Sequence, residues 1–416
     1  MPKLLLSILC LLTLASFRAN ACSACKITAN GHTWFLNNED NWRLGSRIWF
    51  EPGDGQKHGV AYFGYGDALP QGGVNEAGLA YDALTVYKKT IQNKDNKPSI
   101  GDREAFLKKI MTTCSTADEV ARLAGSYFRE GLFGGVFIFV DAGGRYAIME
   151  PDSVWVGSDP HYVIANFCPS TTAEEDRSAF ARYTKGKAFL QAPVVNPDAD
   201  YLRRALDTMH VCRGKIGDGT LHSYIADLSQ GTIDLYFYHD YTRVKHFNLK
   251  EEFAKGEHMY DIVSLFPPNK EYAKLLSYHT PYNTPILNLL FAGAFFVYAL
   301  TLVINGIALL RRKAENKKFA WSMVGLSIAA LPLLVKMILD TGIFYFEFPY
   351  DGVWNLYNYL PLIMMVMAGT ATFQLFRSPY KKALGLILHT SPIALTLALS
   401  IGFAYWKFFP FNFFGA

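Results

Sequence analysis

Cys22 is the residue whose position suggests chemistry. It follows Ala19-Asn20-Ala21, which puts small residues first and third before a signal-peptidase cut, and the apolar run Leu4 to Ala15 ahead of it is too short to span a hydrocarbon core of about 30 Å. Cleavage makes Cys22 the first residue, with a thiol and a free α-amine on one amino acid. An amine of pKa about 7.7 to 8.0 can take a proton from a thiol of about 8.5 and later return one to a leaving group. Such a cysteine is a nucleophile with its own base. Three alternatives stay open: an uncleaved membrane anchor, lipid attachment at Cys22, and a disulfide at Cys22. Lipidation is disfavoured by Ala19, where lipoprotein signals place leucine. Of the six cysteines, five follow the cut (Cys22, Cys25, Cys114, Cys168 and Cys212), and an odd number in an oxidising compartment leaves one thiol free.

Holding such a residue needs a rigid frame, and the following 260 or so residues supply strand-like and helix-like stretches. Val60-Ala-Tyr-Phe-Gly, Gly135-Val-Phe-Ile-Phe-Val, Tyr146-Ala-Ile-Met-Glu and Ile233-Asp-Leu-Tyr-Phe-Tyr are short, rich in aromatic or β-branched residues, and bounded by turn formers. Arg103 to Thr112, Thr116 to Arg129 and Asp198 to His210 carry helical spacing. Hairpin signals stand at Ala142-Gly143-Gly144 and Leu228-Ser229-Gln230-Gly231. The pattern predicts an α+β domain. On a strand, residues 22 and 25 point to opposite faces, so Cys25 need not touch a site at Cys22.

The C-terminal third differs in kind. Apolar segments at about 286–310, 319–340, 356–376 and 383–406 are each long enough to span a bilayer and carry almost no internal charge. Pro332, Pro361 and Pro392 within three of them are tolerated in membrane helices. Arg311, Arg312, Lys313, Lys317 and Lys318 follow the first segment, Arg377, Lys381 and Lys382 follow the third, and Thr341 to Asn355 has neither lysine nor arginine. Positive connections stay in the cytoplasm, so the domain before the spans is expected outside it, on the periplasmic side if the source is bacterial.

Composition closes other routes. The chain is 50% hydrophobic and 18% charged, below the roughly 25% charge of ordinary soluble proteins, which excludes a disordered or polar-repeat protein. A net charge of +4 without a dense basic block leaves nucleic acid an unsuitable partner. Histidines such as His58, His161, His210, His222 and His239 form no helical pair at metal-ligand spacing, and no second Cys-x-x-Cys answers Cys22-x-x-Cys25, so neither metal nor other cofactor is expected.

Cys22-Ser23-Ala24-Cys25-Lys26-Ile27, followed by Trp34-Phe35-Leu36-Asn37-Asn38-Glu39-Asp40, resembles the opening of the N-terminal-nucleophile hydrolases of the choloylglycine hydrolase, penicillin V acylase and linear-amide hydrolase group. Asp40, 18 residues after Cys22, falls where the family has the aspartate that orients the terminal amine. Gly73-Val74-Asn75-Glu76-Ala77-Gly78-Leu79 is similar to a family motif whose asparagine donates to an oxyanion, although Asn75 alone also reads as a turn residue. Asn166 in Val163-Ile-Ala-Asn-Phe resembles a second site asparagine. Arg182 matches the arginine that follows it, with Arg177 the competing choice. The resemblance covers about residues 22–265. It departs at Asn37, where the family has an arginine, and at Leu36 in place of glycine. Cys25 could pair with Cys168 or Cys212.

The resemblance implies an αββα sandwich over 22–267, and the sequence signals around it predict a signal peptide over 1–21, a linker over 268–285 and an all-α region of four membrane helices over 286–416. It implies an amidohydrolase cleaving a linear acyl amide such as an N-acyl amino acid, a bile-salt-like conjugate or a lipid amide. Catalysis would fall to Cys22, Asp40, Asn75, Asn166 and Arg182, without a cofactor. Acyl transfer to an amine, or a decayed site kept for binding or sensing, are the alternatives.

Overall fold

A computed structural model describes residues 22–41, 45–66, 69–86, 96–132, 134–192, 195–213, 218–276, 284–339, 359–377 and 383–406. The expected signal peptide, the Ala21–Cys22 junction and the whole connection 341–355 lie outside them. The chain forms two compact units that divide between Ala273 and Lys274.

The first unit is built from fifteen strands: β1 (Ser23–Ala29), β2 (His32–Asn41), β3 (Arg47–Glu51), β4 (Val60–Gly64), β5 (Pro70–Asn75), β6 (Leu79–Thr85), β7 (Gly135–Asp141), β8 (Tyr146–Met149), β9 (Val154–Gly157), β10 (His161–Ile164), β11 (Cys212–Arg213), β12 (Asp218–Asp227), β13 (Thr232–Phe237), β14 (Asp240–Asn248) and β15 (His258–Asp261). They make two antiparallel sheets. One runs β10-β1-β2-β12-β13-β14 with β11 beside β12, and the other runs β15-β3-β4-β5-β6-β7-β8-β9. The sheets meet face to face, where Phe63 of β4 stacks on Tyr224 of β12 with ring centroids 4.0 Å apart.

Each sheet buries its other face under helices. Its helices are α1 (Arg103–Thr113), α2 (Ala117–Gly125), α3 (Glu174–Arg177), α4 (Ala181–Leu190), α5 (Ala199–Met209), α6 (Leu249–Phe253) and α7 (Lys270–Leu276). Phe106, Ile110 and Val120 from α1 and α2 pack on Tyr62, Tyr81 and Phe137 of the second sheet. Tyr183, Leu202 and Leu206 from α4 and α5 pack on Cys25, Ile27 and Leu36 of the first. The order is helix, sheet, sheet, helix, which is the layering expected of 22–267.

Local sequence explains the element ends. Asp102 and Asp198 accept backbone N–H groups at the starts of α1 and α5, and Thr116 with Glu119 forms a capping box at α2. Helical spacing predicts α2 as far as Arg129, but the helix stops at Gly125. Arg129 instead turns inward, where it donates to the carbonyls of Glu150 and Ala124. Both expected hairpins form, with Gly144 and Gly231 at positive φ. Part of the expected linker is ordered: α7 carries Tyr272, buried against Phe237 and Tyr238.

The second unit contains α8 (Pro285–Leu310), α9 (Lys317–Leu339), α10 (Leu360–Arg377) and α11 (Ala383–Tyr405). Among the described residues, α8, α9 and α10 are long and apolar enough to cross a membrane, with mean hydropathies of 2.2, 2.0 and 1.3. Three such spans, where four were expected, are therefore shown. The fourth segment folds as the 23-residue α11, of which the first side chains lie outside the described set. Pro332 and Pro392 sit inside helices as expected. Pro361 does not, because α10 begins at Leu360 and a first-turn proline loses no intrahelical bond. Ile286, Leu289 and Phe296 are left exposed on α8 while Phe291 and Tyr298 are buried.

Candidate active site

Cys22 stands one residue ahead of β1, the strand flanked by β10 on one side and β2 on the other. Ala24 pairs with Ile164 and Ser23 with Asn38. Continuing these registers brings Asn166 and Glu39 to either side of Cys22. The thiol is buried at 4% exposure and its Sγ donates to Glu39 Oε2 at 3.1 Å. Cys25 faces the opposite way, into the helix layer with Tyr201 and Leu206. Its thiol is free, so the expected pairing with Cys168 or Cys212 is not made, and burial pushes its pKa up to about 12. That makes Cys25 inert packing.

Period-two alternation splits β2 into two chemical edges. Asn37 and Glu39 point between the sheets. Glu39 Oε1 accepts from the Tyr65 hydroxyl, and Asn37 Nδ2 donates to Asp82 Oδ1 at 3.0 Å across to β6. Burial, with Asp40 nearby, pushes Glu39 up to about 7. Asp82, wholly buried, is held well above the usual carboxylate range by burial and then by Glu39. The Cys22 thiol is pushed up as well, by burial first and by Glu39, Asp82 and Asp40 after it. Thiolate formation is opposed by every one of these neighbours.

Asn38 and Asp40 point to the helix layer. Asp40 accepts from Thr220 through Oδ1 and forms a buried ion pair with Arg182 through Oδ2. Arg182, in the first turn of α4, also donates to Asn166 Oδ1 at 2.7 Å, and Asn166 Nδ2 donates to Thr85 O at 2.9 Å. Three of the five expected residues, Asp40, Asn166 and Arg182, are thus one hydrogen-bonded chain beside Cys22. Arg177 is not part of it, because its guanidinium holds Glu174 and the carbonyls of Thr172 and Pro169.

Asn75 is not brought to the site by any of its bonds. Its amide donates to the carbonyls of Met111 and Cys114 at 2.8 and 2.9 Å, and its oxygen accepts from Ala77 and Leu79. Both N–H donors are consumed in fastening the β5–β6 turn to α1. An oxyanion donor must have a free N–H, so the expectation for Asn75 is corrected to an anchoring role.

Glu39 and Asp82 are the residues that sequence reasoning missed. The available signal was a carboxylate in the middle of the apolar strand Leu79-Ala-Tyr-Asp-Ala-Leu, with no basic residue in that strand to answer it.

No family model matches the chain, and no curated protein does. Among solved structures it is similar to two variants of conjugated bile acid hydrolase from Clostridium perfringens, each at 14% identity. Their TM-scores are 0.47 and 0.46, over 60% of this chain and 98% and 97% of theirs. It is also similar to penicillin V acylase from Agrobacterium tumefaciens, at 14% identity and a TM-score of 0.45, over 58% of this chain and 91% of that one. Fold likeness does not carry function from residue to residue.

Proposed function

We propose that the chain is a membrane-tethered amide hydrolase whose nucleophile is Cys22, released as an N-terminal residue by signal-peptide removal. The observation that carries this reading is the placement of Cys22 at the head of a central strand, bonded to Glu39 and flanked by the Asp40–Arg182–Asn166 chain. Release of the amine places a positive charge on the same residue as the sulfur. The surrounding carboxylates that burden a thiolate alone would stabilise that ammonium, so the pair can form where the lone thiolate cannot.

The Cys22 sulfur attacks the acyl carbon of a linear amide, giving an acyl-thioester that water later opens. Asn166 has one N–H left after bonding Thr85, and with a backbone N–H it can hold the oxyanion. Asp40 orients the amine. Its oxygens each keep a lone pair beyond the bonds from Thr220 and Arg182. Substrates in keeping with a tether of four helices are N-acyl amino acids, bile-salt-like conjugates and lipid amides reached from the bilayer. The lysine and arginine distribution supports a sandwich outside the cytoplasm.

One observation favours a second reading. Asn37, standing where the resemblance implies an arginine, is bonded to Asp82 and brings no cation to the thiol, as in a site retained for binding alone. The two readings separate on a panel of N-acyl amides incubated with the detergent-solubilised protein and with Cys22→Ala. Hydrolysis lost in the variant supports the enzyme, and equal release of amine by both proteins ends that assignment. Addition of a second amine tests acyl transfer through the same thioester. The intact mass of the N-terminus must show Cys22 first and unblocked.

A further inference from the structure

The Cys22 thiol donates to Glu39 Oε2 at 3.1 Å. Glu39 is held for this contact by both of its oxygens: Oε2 receives the thiol and Oε1 receives the Tyr65 hydroxyl. Each element packed on Glu39 offers a titratable group. These are Cys22 ahead of β1, Tyr65 after β4, Asp82 on β6, and His222 and Tyr224 on β12, while Asp40 lies next along β2. His222 is buried and kept neutral, pushed down to about 3. Among the described residues no lysine or arginine is bonded to Glu39 or to Asp82, and Asp82 Oδ2 is buried without a partner. Burial disfavours the Glu39 carboxylate while its bonds from Tyr65 and Cys22 favour it, so it can gain and lose a proton near neutrality.

We propose that Glu39 exchanges the proton with the Cys22 sulfur during the reaction. This rests on the reading of Cys22 as nucleophile and moves the proton from the amine to Glu39. Glu39 Oε2 takes the thiol hydrogen as sulfur bonds to the acyl carbon and the carbonyl electron pair moves to oxygen. Collapse restores the carbonyl and breaks the C–N bond. The departing nitrogen takes the proton from Glu39, which is a carboxylate again. Water then gives its proton to Glu39 as its oxygen adds to the thioester, and the sulfur recovers that proton as the C–S bond breaks. The α-ammonium stays charged throughout and offsets the negative charge on sulfur.

The test uses full-length protein in detergent micelles and two readouts. Labelling of Cys22 by iodoacetamide, followed by peptide mass from pH 5 to 10, reports the thiolate and requires no proton delivery. Hydrolysis of N-lauroylglycine and of N-acetyl and N-lauroyl alkyl amides requires it. Glu39→Gln removes a like charge beside the sulfur, so its labelling midpoint falls by about one pH unit or more. Its labelling at pH 7 is no slower than in the unaltered protein, while its amide turnover drops by about 10²- to 10⁴-fold. A side chain with only a structural role would slow both readouts together. Tyr65→Phe removes the hydroxyl that lowers the Glu39 pKa, and moves the acid limb of the turnover profile upward. An unchanged labelling midpoint in Glu39→Gln, or amide turnover within about threefold of the unaltered protein, overturns the proposal. If the unaltered protein cleaves no amide while the midpoint still moves, the hydrolase reading falls and proton sharing stands.

Discussion

The two edges of β2 carry neighbouring carboxylates with opposite fates. Asp40 turns to the helix layer, where Arg182 neutralises it and Thr220 satisfies its other oxygen. Glu39 turns between the sheets, where its partners are a phenol and a thiol and its nearest charged relative is another acid. One step along a strand reverses the side-chain direction, and here it moves a carboxylate from a paired environment to an unpaired one. The paired edge is built to hold its geometry. The unpaired edge is built to change protonation, which is what a site that handles protons needs.

The largest effect is expected from breaking the paired edge. Arg182→Met keeps much of the apolar stem but leaves the Asp40 carboxylate buried beside Thr220 with no cation, and it frees Asn166 Oδ1 as well. Removing one partner of a buried ion pair costs about 3 to 5 kcal/mol. Chemical unfolding of the sandwich, followed by tryptophan emission, should show that loss. Arg177→Met, which cuts bonds near the surface, should lose less than about 1 kcal/mol. Equal losses would mean that the Asp40–Arg182 contact is not a structural pair.

The paired edge was largely legible in the sequence. Asp40 and Asn166 came from the resemblance, through the 18-residue distance from Cys22 and the Val163–Phe167 stretch, while alternation along β1 separated Cys22 from Cys25. What remained open there was which turn of a helix faces the sheet, and α4 answers it by burying Arg182. The unpaired edge was hidden because its meaning lies in a contact between sheets: Asn37 and Asp82 are 45 residues apart, and no period within either strand records that they touch. Asn75 misled for the opposite reason. An asparagine in a tight turn spends its side chain locally, so a motif centred on one reports the turn before it reports chemistry. The α+β class and three of the four apolar segments were readable because hydrophobic period and length are properties of continuous stretches, whereas the layering came from the resemblance.

A middle-sized effect sharpens the comparison through pH. Glu39 titrates at about 7 when folded, against about 4.3 for an unfolded glutamate. The folded state therefore binds the proton more tightly. Its contribution to stability is fully present below about pH 4 and is lost as pH rises through 7, a change on the order of 3 kcal/mol. Unfolding measured from pH 5 to 8 should show this decline, and Glu39→Gln should flatten it. Asp40→Asn should lessen the decline only in part, because burial is the larger cause of the Glu39 shift and the neighbouring Asp40 charge the smaller. If Glu39→Gln unfolds with the same pH dependence as the unaltered protein, the two edges do not differ as described.

The smallest expected effect comes from the histidine that shares the unpaired edge. His222 pairs across the ladder with Glu39, is 1% exposed, and has no hydrogen-bond partner for either ring nitrogen. Its ring stacks on Phe63 at 5.8 Å, so an aromatic face is used while the nitrogens are not. Burial pushes its pKa down to about 3 from the ordinary value near 6.5. The unfolded chain therefore takes up a proton that the folded one refuses, and stability is lost as pH falls from about 6.5, by about 2 kcal/mol at pH 5. His222→Phe keeps the stacking surface and removes both unsatisfied nitrogens. At pH 7 the variant should be as stable as the unaltered protein or up to about 1 kcal/mol more stable. At pH 5 the gain should grow toward about 2 kcal/mol. Because phenylalanine carries no proton, the labelling midpoint of Cys22 should stay where it is in this variant while that of Glu39→Gln moves. A midpoint shifted by His222→Phe would mean that the ring takes part in the proton exchange, and that Glu39 does not act on the sulfur alone.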